Sequence, residues 1–211
     1  MLLRYASRDA GRAEDYERRF RGDGHYGSYE EALEDPTVNA VVIAVPPIYH
    51  RELALRALEA GKHVLVEKPA FLRTEDFGRV VEARDAAGKV VMVGENDHYK
   101  PLAVRLRKLL ADDAIGELVF GLFTSVARRP KAPEDWRNDE AMAGGDAFFE
   151  EGIHWLHLAG SLGPEIRTVH GYRPPLAKDG PLEGDARFKS MLVSFQYETG
   201  AAGALLYSRE V

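Results

Sequence analysis

The sequence has no cysteine among its 211 residues. Disulfide bonds, thiolate catalysis and cysteine-based metal sites are therefore excluded for this chain. It also lacks an apolar run of the roughly 20 residues that a membrane span needs. The opening stretch MLLRYASRDAGR lacks the apolar core of a signal peptide. From these absences we expect a cytoplasmic protein without a membrane partner.

Basic residues are not in excess either. The 28 lysines and arginines are outnumbered by 34 aspartates and glutamates, which gives a formal net charge of −6 and a pI near 5.7. Nucleic-acid-binding domains usually present a basic face, so this balance argues against nucleic acid as a partner. The 45% hydrophobic and 29% charged residues are ordinary for a globular protein.

The first half of the chain alternates apolar runs with helical patterns. Strands are predicted for the apolar runs 2–6, 40–45, 63–66 and 89–93. Helices are predicted between them at 9–20, 49–60 and 74–88, with a shorter one opened by a capping box at Ser28 and Glu31. Strands that are apolar on both faces and joined through helices predict a parallel sheet covered by helices.

After Gly94 the pattern changes. Helices are predicted at 101–111 and 144–162, a polar loop at 127–139, and strands at 117–126, 167–172, 188–197 and 201–207. The tight-turn sequence Glu198-Thr199-Gly200 joins the last two strands, and strands joined by hairpins form an antiparallel sheet. We therefore predict two domains, residues 1–100 and 101–211, of which the second is α+β.

Four stretches in this order carry a resemblance to a known family: VVIAVPPIYHRELALRALEAGKHVLVEKP, VGENDHYKP, AIGELV and GGDAFFEEGIHWLHLAG. They resemble the glucose–fructose oxidoreductase / inositol dehydrogenase / MocA (Gfo/Idh/MocA) family of NAD(P)-dependent oxidoreductases. The resemblance implies a dinucleotide-binding domain followed by a substrate and oligomerisation domain. It also implies hydride transfer between NAD(P) and a carbinol or carbonyl carbon of a sugar, cyclitol or related polyol.

The family's first strand and glycine-rich phosphate loop have no counterpart in this sequence. Such glycines let the backbone approach a pyrophosphate at a helix N-terminus, and Gly22-Asp23-Gly24 stands in the wrong context to replace them. Family members also extend further at the C-terminus. The expected fold is α/β: an incomplete Rossmann-like parallel sheet, then an α+β domain with a mainly antiparallel sheet. We expect this chain alone not to hold a dinucleotide tightly.

Lys68 follows a predicted strand directly. A lysine there can donate to a substrate hydroxyl and stabilise a developing alkoxide, although an exposed lysine at a strand end is commonly only solvated. The resemblance of the Glu-Lys-Pro sequence to the family motif favours a catalytic Lys68, with Glu67 orienting it or packing against the cofactor ribose. Pro69 fixes the chain direction because its φ is locked.

Glu150 and His154 lie four residues apart on a predicted helix, a spacing that places them on one face. Histidine titrates near neutrality and suits the removal of a hydroxyl proton. The family has an aspartate where this chain has Glu150. The resemblance therefore implies that His154 carries the proton and that Glu150 holds His154 or a substrate hydroxyl. The alternative is a satisfied structural histidine.

His157 adds a third ligand-type side chain to this helix. Two histidines and a carboxylate can bind a metal ion, but the spacing differs from the His-Glu-x-x-His arrangement of metalloproteases. We therefore expect no metal and assign His157 to the substrate pocket. Two alternatives stay open: a metal-dependent lyase or hydrolase using Glu150, His154 and His157, and a non-catalytic or regulatory member that has lost cofactor binding.

Ser7 and Arg8 follow the first predicted strand. In nucleotide folds an acid at this place binds the 2′-hydroxyl of NAD, whereas a nearby arginine accommodates the 2′-phosphate of NADP. By the resemblance, Ser7 stands at the acidic position, which favours NADP over NAD. Alternatively, Asp9 simply caps the next helix and Arg8 is solvated.

The remaining candidates follow other strand ends or lie in the polar loop. The resemblance implies that the loop with Pro46, Pro47 and His50 lies along the cofactor. Asn96 and Tyr99 follow the strand ending at Val93, on the same sheet edge as Lys68, and we assign Asn96 to the cofactor and Tyr99 to the substrate. Trp136 and Arg137 in the polar loop are expected to line the substrate site. His50 has the alternative role of capping its helix, and the two loop residues that of packing on the surface. Because an antiparallel sheet with one open face often forms an interface, we expect a homo-oligomer.

Overall fold

The computed structural model describes residues 1–128, 132, 134–173 and 190–209, which belong to two compact units. The first unit comprises Met1–Val45 and Tyr49–Val93, and the second comprises Pro46–Ile48 and Gly94–Val211. Parts of two predicted segments, 129–131 and 133 of the polar loop and 188–189 of a strand, lie outside the described residues. Within the described ranges, no helix combines the length and the apolar character needed to cross a membrane.

The first unit alternates strands and helices. In chain order these are β1 Arg4–Ala6, α1 Ala10–Phe20, β2 Gly24–Tyr26, α2 Tyr29–Glu34, β3 Ala40–Ile43, α3 His50–Glu59, β4 His63–Glu67, α4 Thr74–Ala87 and β5 Val91–Gly94. Asp9 caps α1 by accepting the Arg12 N–H, as predicted, and Gly88 at φ +61° ends α4. The sequence gives no signal for β2, because three residues, Gly-His-Tyr, are too few to show apolar alternation.

The parallel strands of the first unit form two sheets rather than one. β1 pairs in parallel with β2, β3 pairs in parallel with β4, and β5 adds to the other side of β4. Among the described residues, β1 and β3 each hydrogen-bond to a single strand, so the five strands form two separate sheets. The parallel pairing confirms the Rossmann-like part predicted from the sequence.

The core of the first unit lies between α3 and β4. Val64 and Val66 of β4 pack with Ala57 and Leu58 of α3, and none of the four is more than 2% exposed. Every second residue of β4 therefore points into this core, as the pleat of a strand requires. The packing fixes the direction of β4 and thereby the position of Lys68, which follows it.

A polar network joins β1 to the segment after α2. Arg4 donates from Nη1 to Asp35 Oδ2 at 2.7 Å, and the Tyr26 hydroxyl donates to the same oxygen at 2.6 Å. Thr37 donates its hydroxyl and its backbone N–H to Asp35 Oδ1, at 2.6 and 2.7 Å. These hydrogen bonds, Thr37 foremost, hold the pKa of Asp35 well below its ordinary value of 3.8.

The network predicts a contribution to stability that is lost in acid. Because the pKa of Asp35 is lower in the folded than in the unfolded chain, its carboxylate stabilises the fold at neutral pH and loses this effect as the pH falls below about 4. We expect the urea midpoint, measured by circular dichroism, to fall less between pH 7 and pH 3 in Asp35→Asn than in the wild type. Asp112→Asn removes an exposed carboxylate paired with Lys108 at 2.8 Å and is the control. Equal falls in all three proteins would contradict the prediction.

The second unit contains a four-stranded sheet. Its elements are α5 Pro101–Ala111, β6 Phe120–Val126, α6 Glu140–Ala143, α7 Ile153–Leu162, β7 Ile166–Tyr172, β8 Ser190–Tyr197 and β9 Ala202–Ser208. The strand order is β6-β9-β8-β7, with β8 antiparallel to both of its neighbours and β6 parallel to β9. The mainly antiparallel sheet is thus confirmed, and Gly200 at φ +89° makes the predicted turn between β8 and β9.

The helix predicted at 144–162 begins later than expected. Gly144 has φ +75°, which lies outside the helical region. A π-helical turn, Phe148–Gly152, then precedes α7. Because a π-helical turn follows an i to i+5 pattern, the α-helical i, i+4 rule does not apply to side chains on either side of it.

One face of the sheet is buried under α7. Phe195, Tyr197, Leu205 and Tyr207 are at most 4% exposed and belong to one cluster with Ala159 of α7. The hydroxyl of Tyr197 donates to the carbonyl of Ala159 at 2.7 Å, which satisfies the polar end of this buried ring. The helix is therefore held in a fixed position on the sheet.

The opposite face of the sheet is apolar and exposed. Leu206, Leu192 and Tyr172 pair in register across three strands and are 44%, 42% and 58% exposed. Phe120 and Leu122 extend this surface onto β6 with exposures of 65% and 67%. We call these five residues the open face.

Candidate functional site

A buried carboxylate and a histidine meet in the second unit. Glu95 follows β5 directly and is only 8% exposed. Its oxygens lie 2.7 and 2.9 Å from Nδ1 of His154, and Oε1 also accepts the backbone N–H of Asp97 at 2.9 Å. Sequence reasoning did not select Glu95. Its position immediately after an apolar strand is the feature of the sequence that could have marked Glu95 as a candidate site residue.

Glu150 lies against a different partner. It is 8% exposed and accepts a hydrogen bond from Nε of Arg137 at 3.1 Å. The Arg137 guanidinium lies over the Trp136 ring, 4.4 Å from its centre, and its Nη1 lies 3.4 Å from Asp135. The structure thus brings together three of the predicted residues, Glu150, Arg137 and Trp136. The carboxylate that it places against His154 is Glu95.

Two further histidines pair beside this site. Nδ1 of His98 lies 2.9 Å from Nε2 of His157, so one ring donates to the other. Burial, the Arg107 guanidinium and His157 lower the pKa of His98, so its ring is neutral at pH 7. Tyr99 is 60% exposed and packs its ring edge-on against His98. The predicted substrate residue His157 is therefore held by a residue from the turn after β5.

Three carboxylate and imidazole groups of the second unit lie close enough to be considered as metal ligands. One ligand atom each from Glu95, Asp97 and His154 lies within 4.8 Å of the others. The 2.7 Å separation of Glu95 and His154 is a hydrogen-bond distance, and Lys100 Nζ lies 2.6 Å from Asp97 Oδ1. Among the described residues, the set Glu150, His154 and His157 does not form such a group.

In the first unit, Lys68 follows β4 and is half-buried. Its backbone N–H donates to the Glu67 carboxylate at 3.2 Å, and the Lys68–Pro69 peptide bond is cis. Ser7 and Arg8 follow β1 in the same way. The hydroxyl of Ser7 accepts the backbone N–H of Asp9 at 3.2 Å, and the exposed Arg8 guanidinium lies 5.2 Å from the centre of the Tyr49 ring.

His50 is buried at the start of α3. It is 1% exposed, and its ring nitrogens face backbone carbonyls, Nδ1 at 3.0 Å from Pro69 and Nε2 at 2.8 Å from Val45. A ring enclosed in this way ties the end of β3 to the chain after Lys68, and its contact with a cofactor stays a prediction. The other expected cofactor residues, Pro46, Pro47 and Asn96, lie in the short turns that follow β3 and β5.

Comparison with known proteins identifies the family. The profile described as "Oxidoreductase family, NAD-binding Rossmann fold" matches residues 3–95, and that of the GFO/IDH/MocA C-terminal domain matches residues 103–211. The chain belongs to the Gfo/Idh/MocA family. The resemblance seen in the sequence is therefore confirmed over both parts of the chain.

Individual Gfo/Idh/MocA proteins are similar over most of this chain. The uncharacterized oxidoreductase ORF334 of Rhizobium meliloti is 37% identical over 160 residues, 75% of this chain and 47% of that protein. The 1,5-anhydro-D-fructose reductase of Ensifer adhaerens is 34% identical over 175 residues, 79% of this chain and 52% of that protein. The chain thus spans about half the length of these curated relatives.

A solved Gfo/Idh/MocA structure shows the same fold. Levoglucosan dehydrogenase, in complex with NADH and levoglucosan, superposes with a TM-score of 0.88 over 100% of this chain and 58% of that one. The sequence identity is 24%, so this likeness concerns the fold alone. It confirms a parallel Rossmann-like part followed by a mainly antiparallel sheet.

The family implies a dinucleotide cofactor, and the residues present fit part of one. The Ser7 hydroxyl and the Arg8 guanidinium, at the carboxyl end of β1 and the start of α1, suit a ribose hydroxyl or phosphate. Lys68 stands at the corresponding end of β4. Within the described residues of the first unit, no glycine-rich loop joins a strand to a helix, since β1 leads to α1 through Ser7, Arg8 and Asp9. Among the described residues of the first unit, Ser7, Arg8 and Lys68 are thus the groups whose chemistry suits such a cofactor, and a glycine-rich pyrophosphate loop is absent.

Proposed function

We propose that the whole protein is an NAD(P)-dependent oxidoreductase acting on a carbinol or carbonyl carbon of a sugar, cyclitol or related polyol. Family membership over both parts of the chain supports this, and so does the sugar-type name of the relative from Ensifer adhaerens. The observation that carries the proposal is the contact of His154 with a buried carboxylate. This arrangement suits general acid–base work at a hydroxyl.

Three side chains are proposed to perform the chemistry. A nicotinamide cofactor, when bound, would supply the hydride chemistry. Lys68 donates a hydrogen bond to the reacting oxygen and stabilises negative charge on it. His154 takes the hydroxyl proton in oxidation and returns it in reduction. Glu150, which holds the Arg137 guanidinium, positions donors for neighbouring substrate hydroxyls, and Tyr99, Trp136 and His157 complete the substrate contacts.

The proposal is tested by assaying the whole protein with NADP⁺ and NAD⁺ against a panel of sugars, inositols and other polyols. Absorbance of the reduced nicotinamide follows the reaction. Turnover that resists chelators is the expected result. Tight cofactor binding without turnover of any alcohol or carbonyl compound would favour a non-catalytic member. Turnover abolished by a chelator would favour a metal-dependent enzyme.

We propose NADP rather than NAD as the cofactor. Position 7, after β1, is a serine and not the acid that would bind the 2′-hydroxyl of NAD, and the neighbouring Arg8 can bind the 2′-phosphate of NADP. In the whole protein, Arg8→Ala is expected to raise the Kd for NADP(H) about 10-fold, since a hydrogen bond to a charged group contributes roughly 1.5–3 kcal/mol. The Kd for NAD(H) should hardly change. Arg19→Ala, at the other end of α1, is the matched control. Equal losses for both cofactors would show that Arg8 does not read the 2′-phosphate.

We further propose that residues 1–100 bind the dinucleotide and residues 101–211 bind substrate and associate with a second copy. Contiguous apolar surface of this kind commonly marks an interface, and the open face spans all four strands of its sheet. If the open faces of two copies pack against each other, each copy buries the apolar surface of the other, as in isologous dimers. The cytoplasmic location stays a prediction.

Leu122→Glu tests this association. A carboxylate within a buried apolar contact is costly, so the whole protein is expected to change from a dimer or larger assembly to a monomer in light scattering. Leu102→Glu introduces the same charge at a leucine of α5 that is 79% exposed and serves as the control. A monomeric wild type, or an assembly that survives Leu122→Glu, would rule out the open face.

A further inference from the structure

The contact between Glu95 and His154 resembles the carboxylate–imidazole pair of a hydrolytic triad in its geometry. We propose that Glu95 is a positioning residue that fixes the tautomer of His154, with the proton on Nδ1 and the lone pair on Nε2. The inference rests on the proposed function for its catalytic consequence. Its structural content, the tautomer, stands by itself.

The carboxylate of Glu95 is held in place by groups of the protein itself. It is 8% exposed, follows the last residue of β5, and accepts the backbone N–H of Asp97 at 2.9 Å. An ionised carboxylate offers acceptors only. Since both of its oxygens lie within 2.9 Å of His154 Nδ1, that nitrogen must be the donor.

The tautomer determines what His154 can do. A neutral imidazole carries a single N–H, so a proton on Nδ1 leaves Nε2 as the acceptor. In oxidation the hydroxyl O–H bond breaks, an Nε2–H bond forms, and the electron pair of the broken bond stays on oxygen. The resulting imidazolium faces Glu95, with Asp97 Oδ1 at 4.0 Å and Lys100 Nζ 2.6 Å from that same Asp97 oxygen.

Glu150 was the expected partner because of its i, i+4 spacing from His154. The turn that contains Glu150 is π-helical, so that spacing does not place the two side chains together as it would in an α-helix. Glu150 accepts from Arg137 instead. Glu95 lies 59 positions from His154 in the sequence, so no local sequence pattern predicts their contact.

The tautomer can be measured in the 211-residue chain by two-bond ¹H–¹⁵N correlation NMR of the histidine rings at pH 8. His154 is expected as the Nδ1–H form. Glu95→Gln, which keeps the size and a capping oxygen but removes the charge, is expected to shift the ring toward the Nε2–H form that free histidine prefers. Asp97→Asn removes the next carboxylate and should leave the Nδ1–H form. A wild-type ring in the Nε2–H form would overturn the inference without any variant, as would an unchanged ring in Glu95→Gln.

The catalytic consequence is measured in the whole protein. Glu95→Gln is expected to lower kcat about 10²-fold with little change in KM, and Glu95→Asp to recover part of the loss. Unchanged kcat in Glu95→Gln would overturn the positioning role. An Nδ1–H ring together with full activity of His154→Ala would leave the tautomer standing and refute the proposed function. Stoichiometric binding of added Zn²⁺ with loss of the Nδ1 proton would show a metal site instead.

Discussion

Alanine at His154 or at Lys68 is expected to lower kcat of the whole protein about 10²- to 10⁴-fold, while the Kd for NADP(H) stays within about threefold. In the proposed mechanism, His154 carries the proton and Lys68 stabilises charge on the reacting oxygen. Both interactions strengthen as the transition state forms, so their loss falls on kcat. Steady-state kinetics and cofactor titration by fluorescence measure the two quantities separately.

Two variants serve as controls for this prediction. His25→Ala removes an exposed histidine of β2 that pairs with Glu17, and Lys108→Ala removes an exposed lysine of α5 that pairs with Asp112. Both should retain wild-type turnover. Normal turnover in His154→Ala and Lys68→Ala as well would remove the catalytic assignment of both residues.

Leu58→Ala is expected to reduce the free energy of unfolding by about 2–5 kcal/mol. Leu58 lies on the face of α3 that packs against β4 and is 1% exposed. Val64 and Val66 of β4 belong to the same buried cluster. Removing three carbon atoms there loses buried apolar contact and leaves a cavity that the rigid sheet does not fill. Urea denaturation followed by circular dichroism gives the free energy and its dependence on urea concentration.

The matched comparison is Leu102→Ala in α5. It makes the same substitution in a helix, at a side chain that is 79% exposed. We expect a change within about 0.5 kcal/mol, as for most surface positions. A similar loss in both variants would mean that Leu58 does not occupy the core of the first unit.

The parts of the fold that the sequence predicts are those set by local patterns. Apolar runs marked β3 and β4, Asp9 marked the start of α1, and Gly200 marked the turn between β8 and β9. The late start of the helix before α7 was not predicted, because a π-helical turn depends on how Phe148–Gly152 packs and not on its apolar spacing. The same holds for β2, whose three residues acquire order from their parallel pairing with β1.

The candidate site divides in the same way. Lys68, Glu150 and His154 were selected because they stand at positions of the family motif. Glu95 was missed because its role depends on a contact between distant segments. The burial of His50 was not predicted, because its position after a strand end does not indicate how its ring packs. Contacts between segments far apart in sequence, and the burial that such contacts produce, are the features that local patterns do not reveal.

Because the described strands of the first unit form two separate sheets, β1 and β3 each have a free edge that affects how the 211-residue chain behaves in solution. Each of these strands leaves a row of backbone N–H and C=O groups without a strand partner among the described residues, and such rows recruit other strands. The dimer contact proposed for the open face is closed, because each copy covers the apolar surface of the other. Contact through strand edges is open-ended, because each added chain offers another edge. The isolated chain is therefore expected to grow with concentration into species of no fixed size, whereas the closed contact gives a particle of defined mass.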